Sequence, residues 1–568
     1  MTLSTYKQWN GENMKKTVII LVIMLSLIGL YFFVSYVPEE TIELSPFDSP
    51  YILVETKESV ELIKYEFDEF EELIKTDDDH YIPVQFLENQ NVDIDLDLST
   101  GIVTLVNREH LMRYKPDLET LEIDKEMTEN NKSIIVKGED VLVKSSLLEE
   151  YFDIQSRINQ EHKVLLIKND AFGALKGEVI VENYLYKEDN SESGLIKQLI
   201  LEEEWILVAA NGNWYFGYND NMDFGYIEKN NVKKIGEINP VEKKVVENKR
   251  IFLTWDQIYS PGINGRDIEL MTGVDIISPT WFKLIDDAGN FQSFLNEKYS
   301  QWARGEGYKI WPLVSNTFGD IEMTSRFLNN VKSREKFINE LLIIYKKHDF
   351  QGINVDFENV YLKDRKKLTQ FISELTYNFS KSEIIVSADV TILGGSETWS
   401  QSFNHERIGA LVDYLMIMTY DEHWASSPIS GSVASHNWVK SALEEMIKIV
   451  DKNKIVMGIP LFTRIWYEEP SRERVNSMDV SSITITMQGQ ENLLQKVGLK
   501  PIWDDEAKQF YLGYIEGSKV KKIWLEEEVS IKEKAKLVRE LGISGVATWS
   551  RGLGTDNIWE VISEEVGD

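Results

Sequence analysis

Phe350-Gln351-Gly352-Ile353-Asn354-Val355-Asp356-Phe357-Glu358 places one amide and two carboxylates at alternate positions of an apolar run. Side chains alternate between the faces of a β-strand, so Asn354, Asp356 and Glu358 share one face and Ile353, Val355 and Phe357 the other. Turning unpartnered carboxylates toward an interior costs several kcal/mol or forces a large pKa shift. A sheet core has no structural need of them, so the stretch points to chemistry that requires buried acids.

The chain around it supplies a scaffold. Short apolar runs recur at Ile251–Trp255, Val274–Ser278, Lys309–Val314, Ile353–Phe357, Ile384–Ala388, Tyr414–Thr419, Ile455–Ile459 and Gly545–Trp549. Amphipathic, helix-like stretches lie between many of them, at Phe291–Arg304, Ser325–His348, Asp364–Phe379, Asn437–Val450 and Ile531–Leu541. Eight strands alternating with helices over about 320 residues predict an α/β fold, a parallel (β/α)8 TIM barrel with its chemistry at the carboxyl ends of the strands. Glu358 then stands at the end of strand four.

Gln351-Gly352-Ile353-Asn354-Val355-Asp356-Phe357-Glu358 resembles the Asp-Gly-x-Asp-x-Asp-x-Glu signature of glycoside hydrolase family 18, with amides in place of its first two acids. Asn at the position of Asn354 also occurs in the family's bacterial cell-wall and spore-cortex branch. Met418-Thr419-Tyr420-Asp421, ending strand six, is similar to the family's Met-x-Tyr-Asp motif, and Trp549 ends strand eight where the family places the tryptophan of its sugar-subsite floor. The resemblance implies Glu358 as general acid/base and Asp356 and Tyr420 as catalytic groups holding the substrate's 2-acetamido group. It implies Asn354, Asp421 and Trp549 as substrate-binding residues. Family 18 is among the glycosidases in which the substrate assists: the acetamido carbonyl oxygen serves as nucleophile. An Asp356 charge beside Glu358 raises the proton affinity of the acid.

About 85 residues separate strands seven and eight, far more than an ordinary barrel connection. A helix-like piece near Glu491–Val497 and a hairpin over Pro501–Tyr511 suggest the small α+β insertion that family members carry there. Trp466, Tyr467, Trp503, Tyr511 and Trp524 either stack on sugar rings or form the core of that insertion, and for any single ring the core is favoured.

Composition narrows the function. A formal net charge of -33 argues against nucleic acid as partner, and 43% hydrophobic residues with 15 Trp and 24 Tyr support large folded cores. With no cysteine, packing alone must stabilise the chain. The His-Glu-x-x-His zinc motif, the Gly-x-x-x-x-Gly-Lys phosphate loop and the Gly-x-Ser-x-Gly nucleophile elbow are absent, so neither a metal nor a cofactor is expected. His423, beside Asp421, is expected as a cleft-edge or structural histidine.

Thr17–Val37 is an uncharged run of 21 residues preceded by Lys15 and Lys16 and followed by Glu39 and Glu40. As a helix it would measure roughly 32 Å, enough for a bilayer core. The positive-inside rule makes it a single-pass cell-membrane signal anchor, with residues 1–16 as cytoplasmic tail and the remainder outside the cytoplasm. A cleaved signal peptide with secretion is the alternative.

Two modules are expected before the barrel. His80–Leu87, Val92–Asp97 and Ile102–Leu105 are echoed by Val141–Leu148, Phe152–Ile154 and Val164–Ile167, a duplicated α+β unit over 45–170 that resembles the copper amine oxidase N-terminal-like domain without implying copper. Trp205–Val208, Gly212–Tyr218 and Gly225–Ile227 resemble a bacterial SH3-type β-barrel over 175–236, in which Trp214 and Tyr226 are core rather than ligand platform. The segment Ile238–Lys244 is expected to link it to a barrel over 248–568. Together these predict a glycosidase cutting β-1,4 bonds in N-acetylglucosamine-containing polysaccharide, with cell-wall peptidoglycan favoured. Chitin and chitooligosaccharides, or a non-catalytic glycan-binding barrel, are the alternatives.

Overall fold

The structure is a computed structural model that describes residues 51–55, 60–64, 80–87, 90–159, 164–169, 174–238, 250–258, 270–471 and 478–567. The expected anchor at Thr17–Val37 and most of the linker after Ile238 lie outside the described residues. Among the described residues no helix is long and apolar enough to cross a membrane.

The chain forms two compact units, one of residues 1–90 and 133–244, the other of residues 91–132 and 245–568. In the second, the barrel strands are β1 Ile251–Asp256, β2 Ile276–Pro279, β3 in two pieces (Lys309–Ile310 and Leu313–Ser315), β4 Gly352–Asp356, β5 Ile385–Thr391, β6 Tyr414–Met418, β7 Ile455–Pro460 and β8 Gly545–Trp549. Each pairs in parallel with the next, β3 through its two pieces in turn, and β8 pairs with β1. The helices around them are α1 Glu297–Gly305, α2 Ile321–Leu328, α3 Val331–Lys347, α4 Arg365–Ser380, α5 His405–Leu411, α6 His436–Ile447, α7 Glu528–Leu541 and α8 Ile558–Val566.

The alternation along β4 sorts its residues between two cores. Ile353, Val355 and Phe357 pack into the layer between strands and helices. Asn354 and Asp356 face the barrel interior, a separate cluster containing Leu253, Trp255, Trp311, Met416 and Ala547. Gly352 starts the strand because a Cβ there would lie 2.6 Å from the Trp311 ring.

Two helical expectations are corrected. Phe291–Ser293, expected within a helix from Phe291 to Arg304, is a strand paired with Phe282–Leu284, and α1 begins only after Asn296, whose side chain accepts from the Lys298 and Tyr299 amides. The stretch Ser325–His348 is two helices, divided where Asn330 caps α3 by accepting from Ser333 N. Both breaks are local capping events that override the amphipathic period.

The insertion between β7 and β8 is a five-stranded antiparallel sheet carrying the helix Met487–Val497. Trp466 is fully buried and donates to the Gly431 carbonyl at 2.8 Å. Trp503 packs on Phe510, and Tyr511 on Trp524.

Residues 93–129 form a five-stranded antiparallel meander that groups with the barrel rather than with the rest of 45–170. Charged pairs tie it to the barrel helices: Asp95 to Arg334 at 2.5 Å and to Lys367, Asp93 to Arg407 at 2.8 Å, and Arg108 to Asp413. Tyr377 on α4 also donates to Asp124 at 2.8 Å.

The sequence echo is split by this division: the hairpin of its first half belongs to the meander, while Tyr81–Pro83 with the turn Val84–Leu87, and Asp140–Lys144 with the helix Ser145–Phe152 and the paired strands Ile154–Asn159 and Val164–Asn169, lie in the other unit, where Tyr81–Pro83 and Asp140–Lys144 pair with each other. Residues 174–238 form a seven-stranded antiparallel sheet with Trp205 at its core. There Trp214 packs edge-on against Tyr186, and Tyr226 against Phe216.

Candidate active site

β4 delivers Asp356 at its last position and Glu358 two residues beyond, at the carboxyl end of the barrel. The two carboxyls are hydrogen-bonded to each other. Burial, then the Asp356 charge, then that hydrogen bond and the Asp421 charge push the Glu358 pKa well above the ordinary carboxylate range. Asp356 is pushed up as well, by burial and by the charge of Asp389, while its bond to Glu358 acts in the opposite sense. The shared bond raises Glu358 and lowers Asp356, which makes Glu358 its donor and Asp356 its acceptor.

The Glu358 main chain is pinned from β3. Asn316, fully buried just past that strand, accepts from Glu358 N at 3.0 Å and donates to Glu358 O at 2.8 Å. The same amide donates to Thr324 at 3.1 Å.

Asn354 lies one layer below, fully buried. Its Oδ1 accepts from Trp255 Nε1 at 2.7 Å, and its Nδ2 donates to Asp389 Oδ1 at 2.7 Å and to Ser387 Oγ at 3.0 Å. Both amide atoms of Asn354 are thus engaged by protein partners.

Tyr420 follows β6 and is half-buried. Burial and the charges of Asp389, Glu358, Asp356 and Asp421 raise its pKa well above the ordinary phenol value, so it remains a hydrogen-bond donor. Gly458 on β7 leaves it room, since a Cβ there would lie 3.1 Å from the Tyr420 ring. Asp421 takes a positive φ of 61° and accepts from Arg464 at 2.7 Å. Trp549, at the end of β8, packs edge-on against Trp255 with ring centroids 5.7 Å apart. His423 bonds the Ser432 carbonyl at 2.8 Å, a structural contact.

Residues 287–554 match the model of glycosyl hydrolases family 18. This part of the chain is a family-18 glycosyl hydrolase domain. The chain is 29% identical over 277 residues to an uncharacterised glycosylase, YvbX, of Bacillus subtilis, a match spanning 47% of this chain and 77% of that protein. It is 24% identical over 263 residues to the cortical fragment-lytic enzyme of the same organism, spanning 45% of this chain and 59% of that enzyme. Among solved structures, the "C-terminal domain of putative chitinase" from Desulfitobacterium hafniense superposes with a TM-score of 0.50 at 23% identity, covering 56% of this chain and all of that one. The barrel strands β1 and β2 precede the matched span, so the barrel that contains it begins at Ile251.

The chemistry of the family-18 domain is O-glycosyl hydrolysis of glycan. Three of its interior groups escaped sequence reasoning: Asp389, Asn316 and Arg464. Asp389, 3% exposed, carries the one available signal, an acid within the apolar stretch Ile385–Thr391. Asn316 follows the end of β3 and Arg464 sits within the insertion strand Phe462–Pro470, and neither had a motif to mark it.

Proposed function

We propose that the chain is a retaining glycosidase that hydrolyses β-1,4 bonds in N-acetylglucosamine-containing glycan by substrate-assisted catalysis, with peptidoglycan as its polymer. The observation that carries this reading is the buried, hydrogen-bonded Glu358–Asp356 pair with its raised proton affinity, set beside Tyr420 at the strand ends. Glu358 protonates the leaving oxygen. The acetamido carbonyl oxygen attacks the anomeric carbon, and Asp356 stabilises the positive charge that develops on the acetamido nitrogen. Tyr420 donates to the same group, and Glu358 takes a proton from water as the oxazolinium opens, returning the original anomeric configuration. Trp549 forms the floor beneath the sugar. Asp421, held by Arg464, adds a polar contact at the cleft edge.

Peptidoglycan is supported by the similarity to a cortical fragment-lytic enzyme and by the resemblance of residues 175–236 to wall-binding SH3-type modules. The duplicated unit before it belongs to the same surface-protein company. The uncharged run Thr17–Val37 would hold these modules outside the cytoplasm at the membrane.

The test incubates the full chain with purified peptidoglycan and with chitooligosaccharides and analyses products by mass and by anomeric NMR. Muropeptides with β-configured new reducing ends, and competitive inhibition by an oxazoline-mimicking thiazoline, are expected. Cleavage of chitooligosaccharides alone would replace the polymer. Binding without cleavage would make the barrel a glycan-binding protein, and inverted products would overturn the mechanism.

A further inference from the structure

The active site contains a third buried carboxyl that the reaction outlined above does not use. β4 and β5 are in register with Asn354 opposite Ser387 and Val355 opposite Ala388. Continuing that ladder by one rung sets Asp356 opposite Asp389. Ser387 faces the barrel interior, since it bonds Asn354, and residues two apart on a strand share a face, so Asp389 faces inward as well. Neighbouring strands lie about 4.8 Å apart, which puts the Asp356 and Asp389 side chains side by side. Asp389 is 3% exposed and Asp356 6%.

Donors and acceptors then decide where the protons lie. Asp356 shares a hydrogen bond with Glu358, and no N–H or hydroxyl donor among the described residues reaches its buried Oδ1. A buried carboxylate oxygen without a donor is costly, and two adjacent buried carboxylates cannot both be ionised cheaply. Asp389 Oδ1 is occupied by the Asn354 amide at 2.7 Å, which leaves its second oxygen for the side toward Asp356.

Resting on the glycosidase reading, we propose that Asp389 is a positioning residue: a protonated carboxyl, aligned by Asn354, whose O–H donates to Asp356 Oδ1 and holds Asp356 as the anion that stabilises the developing charge on substrate. The resting column is Asp389–OH to Asp356 carboxylate from one side and Glu358–OH from the other, one negative charge and two protons over three carboxyls. Asn354 is an amide because it must donate to Asp389, a bond a carboxylate there could not make. Burial raises the proton affinity of Asp389, the Asn354 bond opposing it, and raises that of Asp356 too, so the pair holds a proton and the strand geometry decides which of the two carries it. The titratable groups that interact with Asp389 are Asp356 and Glu358 at the end of β4 and Tyr420 after β6, none of them a cation.

Two variants of the full chain test this. D389N retains an amide donor toward Asp356 but cannot carry the proton, whereas D389L removes the donor. Infrared difference spectra at neutral pH should show that D389N lacks one protonated-carboxyl C=O band present in the parent. Its kcat should stay within about threefold of the parent, while D389L should lose about tenfold or more in kcat with KM within about twofold. Loss of the donor alone thus separates kcat from KM, which a purely structural role would not do. An unchanged set of carboxyl bands in D389N, or equal kcat in D389L and parent, would overturn the assignment. A parent that binds but does not cleave glycan while D389N still loses the band would overturn the glycosidase reading and leave the proton where it is placed here.

Discussion

Arg334 on α3 is fully buried, and its guanidinium is divided among three elements. It donates to Asp95 of the meander at 2.5 Å, to Glu374 of α4 at 2.9 and 3.3 Å, and to the Leu328 carbonyl. Burial works against its charge, but Glu374 and Asp95 more than offset this and raise its pKa. Replacing Arg334 with Leu keeps an apolar stem in the site and strands two carboxylates that are 0% and 2% exposed. Lys367 still reaches Asp95, whereas Glu374 keeps only the neutral Gln370 amide at 3.1 Å and Arg113 at 3.9 Å, so Glu374 is the acid that bears most of the penalty. Breaking a buried pair from one side costs about 3–5 kcal/mol, a large part of the roughly 5–15 kcal/mol that stabilises a domain. The assay is urea unfolding of the full chain followed by tryptophan fluorescence and, in parallel, by residual hydrolysis, which reports the unit carrying Glu358. R334L should lower that midpoint by an amount equivalent to about 3–5 kcal/mol, and the triple variant R334L/D95L/E374L should recover most of it, because a well-packed apolar set avoids the desolvation cost altogether. A loss below about 1 kcal/mol in R334L, or no recovery in the triple variant, would refute the view that this buried cluster docks residues 91–132 onto the barrel.

Three further outcomes are expected. Glu358→Gln preserves shape and hydrogen bonding but cannot transfer a proton, so turnover on the cleaved glycan should fall by at least about 100-fold while binding, measured by pelleting with insoluble polymer, survives. The same variant should be more thermostable than the parent above pH 4–5, with a margin that widens toward pH 8 in melting scans. The folded-state pKa of Glu358 lies above its unfolded value, so the native protein binds the extra proton, and its stability contribution, complete below the ordinary carboxylate range near 4, is lost as pH rises through the folded pKa; an equal margin at all pH values would show that the acid is not destabilised by burial. Asn316→Ala removes both hydrogen bonds to the Glu358 main chain and should cost about 1–3 kcal/mol in stability together with a fall in kcat, read by melting and by initial rates.

The course of β4 was legible from residues alone, because period-two alternation is a local property of a strand. Ile353, Val355 and Phe357 had to face one layer and Asn354 and Asp356 the other, and the repeat of apolar runs then called for a closed parallel barrel. Glu358 followed from the rule that barrel chemistry collects at strand ends. The helix starts after Asn296 and at Asn330 were less legible, since a single capping amide outweighs an amphipathic pattern that continues past it. What only the tertiary structure decided are pairings between distant segments. The hydrogen bond of Asn354 to Asp389 depends on the register between two strands 35 residues apart, and the hold of Asn316 on Glu358 depends on the barrel bringing the end of β3 against that of β4. The meander is the extreme case. Asp95 and Asp97 alternate with Ile94 and Leu96, and polarity by itself would turn the acids toward water. They are buried because Arg334, Lys367 and the Val331 amide, some 230 to 270 residues further along the chain, supply the charges and donors they need. A sequence states which side chains are acids; the electrostatics that make a buried acid tolerable belong to whatever the fold places beside it.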